Sequence, residues 1–298
     1  MIAWRMISRC FVSCCCAFLL ALTLQTPASA QAAAAPPPAS SSVRVYLTAT
    51  NKDGSPAVLS QAELSASIDK QPAEVTSLHA ANQDKLLFAL LIDGSTSQNK
   101  DAQSIKSAAK QLFQSLAASG IQGYLGVFDV AVAMSRRPLQ NAEAIQAIDN
   151  LKFGGGSAVF NAIGETCTGA LSRSRNPEFP RRVIILLSDG DDNQSKLTPS
   201  KAEEIAAEEG VAVFSLVTPQ KNPKGGSLLR DAGIKTGGQV IVARKLEEGV
   251  TPLLNAINGQ WALDLVSTQP SDHKSHSLTI TDSQKQIQLN APAHIMLQ

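Results

Sequence analysis

The chain is short of cysteine, aromatic side chains, net charge and long apolar runs, and each shortage removes a class of explanation. Of five cysteines in 298 residues, Cys10, Cys14, Cys15 and Cys16 crowd into the start, which leaves Cys167 alone and denies the rest of the chain an internal disulfide. Stability must come from core packing, and Cys167, inside a helical pattern, reads as a small buried hydrophobe. Aromatic residues make up 4% of the sequence, too few for base-stacking platforms. A formal charge of +1 excludes the concentrated basic surface that nucleic acid requires. The apolar run from Cys10 to Leu24 falls short of the ~20 residues that span a bilayer. Only four histidines occur, His79, His273, His276 and His294, and none lies in the central part of the chain, so the usual general base is missing there.

What is present begins with a targeting pattern. Arg5 and Arg9 precede the apolar run, and Ala28-Ser29-Ala30 fits a small-residue cleavage site. Residues 1–30 are therefore expected to be a signal peptide, with Gln31 as the first residue of a secreted or periplasmic protein lacking a membrane span. Losing two arginines and no acidic residue takes the charge from +1 to −1. A Pro-, Ala- and Ser-rich spacer is expected over residues 31–42.

Residues 43–82 alternate apolar and polar between turn signals, as half-exposed strands do. At Leu86 the pattern becomes LLFALLID, a run typical of a strand buried on both faces. A helical pattern follows, with Ile105, Ala109, Leu112, Phe113 and Leu116 at spacings of three and four and Gly120 at its end. Further strands are expected over 124–130, 183–187, 211–217 and 239–242, with an edge hairpin through 132–134. Helices are expected over 142–151, 159–171, 199–208, 227–232 and 246–257. This alternation predicts an α/β fold, a doubly wound, mostly parallel sheet with helices on both faces, over residues 83–259. Residues 260–298 return to short strands, over 261–266, 277–281, 285–289 and near 294–297. They are expected to pair with residues 43–82 in a small β-sandwich that flanks the inserted α/β domain, with two independent β-segments as the alternative.

In open α/β sheets, ligands bind beyond the carboxyl ends of the strands. Three loops qualify: Asp93-Gly94-Ser95-Thr96-Ser97, Gly154-Gly155-Gly156-Ser157 and Ser188-Asp189-Gly190. Their donors are carboxylates and hydroxyls, a set suited to Mg²⁺, Mn²⁺ or Ca²⁺ and poor for zinc or copper. Asp191 and Asp192 do not make an EF-hand loop, since Gln194 stands at the turn glycine and Ser200 at the bidentate glutamate. Ser157 is no nucleophile elbow, because Val159 stands where glycine is needed, and Lys235-Thr236 follows Ile234 where a phosphate loop has glycine.

Asp93, Ser95 and Ser97 form a DxSxS pattern that resembles the metal-ion-dependent adhesion site of the von Willebrand factor A fold. Ser157 stands where that family usually has threonine in a GGGT-like loop, and Asp189 matches its second aspartate in the context LLSDG. The strand opening Gly210-Val211-Ala212-Val213-Phe214 and the turn Thr236-Gly237-Gly238 are further likenesses, and GGGSAVFNAI and LLSDGDDNQSK are most similar to a secreted bacterial subgroup. The resemblance covers roughly residues 85–257. It implies that Ser95 and Ser97 bind a divalent cation directly, that Ser157 does so directly or through water, and that Asp93 and Asp189 bind it or hold its waters. One coordination position would stay open for a Glu or Asp of a partner protein. The expected function is metal-dependent protein binding in adhesion or scaffolding. The alternative is a metal-independent interaction module with a degenerate site. An enzyme is not expected.

Overall fold

A computed structural model describes residues 40–219 and 223–297, with Pro223 and Lys224 described in their backbone alone. The expected signal peptide and most of the spacer lie outside the described residues.

Three strands come first: β1 (Ser41–Thr50), β2 (Leu64–Ile68) and β3 (Gln71–Ala80). The α/β part follows with β4 (Leu86–Asp93), α1 (Ala102–Ala118), β5 (Gln122–Phe128), β6 (Val132–Met134), α2 (Asn141–Asp149), α3 (Val159–Thr168) and β7 (Arg181–Leu187). It continues through α4 (Pro199–Glu208), β8 (Val211–Val217), α5 (Pro223–Thr236), β9 (Gln239–Val242) and α6 (Leu246–Asn258). Four strands close the chain: β10 (Trp261–Ser267), β11 (Ser275–Asp282), β12 (Gln288–Asn290) and β13 (His294–Met296).

The six-stranded sheet runs in the order β6-β5-β4-β7-β8-β9. All its pairings are parallel except that of the edge strand β6 with β5. Every residue of β4 is buried, and the two-residue repeat divides its side chains between two cores. Phe88, Leu90 and Ile92 meet α1, α2 and α6, whereas Leu87, Ala89 and Leu91 meet α3, α4 and α5. Cys167 belongs to the second core, where burial pushes its thiol far above the ordinary range. Local chemistry sets the helix ends: Thr198 Oγ1 accepts from Lys201 N at 3.2 Å with Pro199 at the first position of α4, and Gly120, at φ 74°, ends α1.

The flanking strands form one curled, seven-stranded antiparallel sheet, in the order β12-β1-β10-β3-β2-β11-β13. Its strands come from both ends of the described chain and share one apolar cluster, including Leu47, Ile68, Leu263, Leu278 and Ile295. β1 pairs with β10 from Ser41↔Ser267 to Leu47↔Trp261, so the strand begins two residues inside the expected spacer. The Asp69-Lys70 turn is a two-residue hairpin with φ of 47° and 67°, and Pro72 falls just after it, where β3 pairs only with β2.

Two elements differ from expectation. Helix α5 is longer than residues 227–232 because Gly225, a loop signal by composition, is needed inside it: a Cβ there would lie 2.4 Å from Gly190 O. The strand expected over 285–289 is confined to β12, because the Asp282 carboxylate accepts from Gln284 N, Gln286 N and Ile287 N and winds those residues into a turn.

Candidate metal centre

Chain direction places the site. From β4 the chain goes to β5 on one side of the sheet and later to β7 on the other, so the carboxyl ends of β4 and β7 flank the switch in strand order. Ile92 pairs with Leu187, and the next residues on each strand, Asp93 and Ser188, emerge side by side.

Asp93 is fully buried. Its Oδ1 accepts from Ser95 N at 3.0 Å, and its Oδ2 accepts from Ser188 Oγ at 2.7 Å and Ser157 Oγ at 3.2 Å. Ser95 Oγ lies 3.0 Å from Ser97 Oγ. Asp189 follows Ser188 directly, half-exposed, with its Oδ1 accepting from Asp191 N at 3.1 Å. Burial pushes the Asp93 carboxyl above the usual carboxylate range; hydrogen bonds from Ser95 and Ser188 offset part of that rise, and the charge of Asp189 adds to it. The five residues expected to form the site therefore gather at one place. Asp93, Ser95 and Ser157 make a buried floor, and exposed Ser97 and half-exposed Asp189 border its open side.

The glycine-rich loop is held from two sides. Gly154 N donates to Gly94 O at 2.6 Å, and Thr96 donates to Gly155 O through N at 3.2 Å and Oγ1 at 3.0 Å. Ser157 N donates to Asn193 Oδ1, and Ser157 O accepts from Asn193 N and Gln194 N. Gly156 permits this contact, since a Cβ there would lie 2.5 Å from Gln194 Cγ. Asp192 Oδ2 and Ser195 Oγ both accept from Phe160 N, which fixes the loop after β7 to the first turn of α3.

Ser188 and Asn193 were not among the residues expected to make the site. Ser188 is visible in the sequence only as the residue before Asp189; its role depends on register between β4 and β7, which no local pattern encodes. Asp192, considered above only as a calcium-loop residue, serves as a cap for α3.

The donor set fits a hard divalent cation. It is all oxygen, contains two carboxylates of which one is buried, and includes neither imidazole nor thiolate. Among the described residues no group of three His, Cys, Asp or Glu side chains is placed to hold a metal, so hydroxyls would supply much of any coordination.

The family model for the von Willebrand factor type A domain matches residues 88–248. No curated protein matches the chain. Among solved structures, a von Willebrand factor type A protein from Catenulispora acidiphila is 12% identical, with a TM-score of 0.48 over 86% of this chain and 73% of that one. An aerotolerance-related membrane protein from Bacteroides fragilis is 15% identical, with a TM-score of 0.45 over 58% of this chain and 98% of that one. The protein BatB from Bacteroides thetaiotaomicron is 16% identical, with a TM-score of 0.43 over 58% and 98%.

Proposed function

The chain belongs to the von Willebrand factor type A domain family, whose members are interaction and adhesion modules, and from that premise we propose that it binds a protein partner through a divalent cation. The observation that carries this reading is the convergence of Asp93, Ser95, Ser97 and Ser157 beside Asp189 at the switch in strand order. Ser95, Ser97 and Ser157 would offer hydroxyl ligands, and Asp93 and Asp189 would balance the charge of Mg²⁺, or of Mn²⁺ or Ca²⁺. A bound cation supplies a positive centre that a Glu or Asp of the partner completes. The chain's own part is to hold the oxygens in place and keep one side of the cluster open. A secreted or periplasmic setting accords with the leader pattern of residues 1–30, and among the described residues no helix is long and apolar enough to cross a membrane.

A second reading, interaction without metal, draws support from the same cluster. Ser188 and Ser157 already donate to Asp93, so the carboxylate is hydrogen-bonded by the chain itself. Calorimetric titration of the purified protein with Mn²⁺ separates the two. Saturable uptake of one ion, abolished in Asp93→Ala, is expected for the metal-dependent module. No uptake at millimolar Mn²⁺ leaves the metal-independent module.

A further inference from the structure

The strongest unexplained feature lies at the other end of the six-stranded sheet. Arg181 and Arg182 open β7, and both are buried, at 2% and 4% exposed. Arg181 is fully engaged: its guanidinium donates to Gln260 Oε1, Ala81 O and Ile257 O. Arg182 is not. Its Nε and Nη1 are sealed from solvent without a hydrogen-bond partner, and among the described residues it takes part in no ion pair.

A second guanidinium approaches the same point. Arg173 Nη2 donates to Glu208 O at 3.1 Å, while its Nε has no partner. A Cβ on Gly210, whose φ is 66°, would lie 2.8 Å from Arg173 Nη2 and in ordinary contact, at 3.5 Å, with Arg182 Nη2, which places both guanidiniums beside this residue. Glu209 is the acid they feel, yet its Oε2 takes the backbone N–H of Arg173 and it forms an ion pair with neither side chain. Arg182 also feels Arg173 as a like charge, and burial together with that repulsion brings its guanidinium down to about 10. Two neighbouring cations, largely withdrawn from water and with Glu209 near but ion-paired to neither, are an arrangement that folding alone does not favour.

Arg173 and Arg182 both line a cavity of about 300 Å³ between the sheet's amino end and strands β1 and β13. Val43, Val45, Pro177, Pro180, Ile295 and Met296 give it apolar walls, and its size lies at the lower end of the range for small-molecule sites. We propose that this cavity binds a small organic acid, with its carboxylate against Arg173 and Arg182 and its apolar body against the Pro, Val, Ile and Met walls. Guanidinium matches carboxylate geometry in a way that a compact ammonium does not, and the buried setting strengthens the pairing. The apolar walls favour an organic acid over inorganic phosphate.

Octanoate tests the assignment, titrated calorimetrically into the full-chain protein with chelator present, beside octanol and inorganic phosphate. Saturable octanoate binding is expected, at least tenfold tighter than either control and at least tenfold weaker in Arg182→Met. The melting temperature of Arg182→Met without ligand should equal or exceed that of the wild type, because a buried charge that has no ion pair has gone. Arg173→Met, on the loop before β7, should show the same loss of binding and serves as the test if Arg182→Met does not fold. Absence of saturable octanoate binding overturns the proposal. So does phosphate or octanol binding as tightly as octanoate, or octanoate affinity unchanged in the arginine variants.

Discussion

Ser188 Oγ donates to Asp93 Oδ2 at 2.7 Å, joining the carboxyl ends of β4 and β7 through side chains where their backbones have stopped pairing. The bond orients the buried carboxylate so that its other oxygen is left to Ser95 N. Removing the hydroxyl in Ser188→Ala should weaken Mg²⁺ or Mn²⁺ binding roughly tenfold, the lower figure for losing a group that orients a metal ligand. In chelator the same variant should lose about 1.5–3 kcal/mol, as expected for a hydrogen bond to a charged group. Calorimetry and urea titration measure the two effects; unchanged metal affinity would separate Ser188 from the site.

Asp93→Ala should respond differently. Without metal, burial and the charge of Asp189 work against ionised Asp93 and offset the hydrogen bonds lost from Ser95, Ser157 and Ser188, so the variant in excess chelator should melt close to the wild-type temperature. With cation at a hundred times its Kd the wild type should gain about 2.7 kcal/mol and the variant nothing. Differential scanning calorimetry in both conditions decides it. A variant that melts well below the wild type in chelator would mean that Asp93 is holding the loop structurally.

His276 gives the small sheet a pH dependence. Its Nδ1 lies 2.7 Å from Asp69 and its Nε2 2.8 Å from Asp272, and those hydrogen bonds raise its pKa. A histidine whose folded pKa lies above its unfolded value stabilises fully below the unfolded pKa, and that contribution is lost as pH rises through the folded one. Between pH 5.5 and 8.5 the wild type should lose a contribution of less than about 1 kcal/mol, in keeping with a solvent-screened pair, and His276→Gln should not show it. Urea midpoints of both proteins at the two pH values provide the comparison.

Gly237→Ala should be among the most damaging single changes to the fold. Gly237 has φ 83°, and a Cβ there would lie 2.2 Å from Tyr46 O on β1. The loss should exceed about 2 kcal/mol, combining left-handed strain with displacement of the strand. A melting temperature within 2 °C of wild type, by roughly the scaling for a protein of this size, would show that β1 can move aside.

Deleting residues 268–298 removes β11, β12 and β13, and with them one of the two partners of β2 and the β12 partner of the last three residues of β1. Amide protection should fall across 64–68 while β4 and β7, paired with each other, keep theirs. Undiminished protection in 64–68 would show that the β2–β3 hairpin stands alone.

Much of this was legible from residue order because burial writes itself into composition. β4 and β7 are covered on both faces and read as continuous apolar runs, with Asp93, Ser95, Ser97 and Asp189 at or just beyond their ends and Ser157 marked by the glycine run before α3. Ser188 was passed over because its importance comes from lying beside Asp93 in register, a fact of pairing between segments 95 residues apart. Helix α5 extends beyond residues 227–232 because Gly225, a residue type that composition alone assigns to loops, lets the helix touch Gly190. The approach of Arg173 to Arg182 is not legible in the run RSRNPEFPRR, since nothing local says which of its four arginines the fold brings together.

The pairing of β1 with β10 also sets an order of events during synthesis. Arg44 and Asp264, joined across that pair, are 220 residues apart, so β1 cannot find this neighbour until the whole α/β part has followed it from the ribosome. Contacts so distant along the chain close slowly, and an early strand without its partner has an unprotected edge. The von Willebrand part has all its own strands available before Trp261 is made, so it can collapse first and hold the two halves of the smaller sheet near each other. The edge of β1 that faces β10 therefore stays open throughout synthesis of the α/β part, longer than any strand of that part waits for its own neighbour.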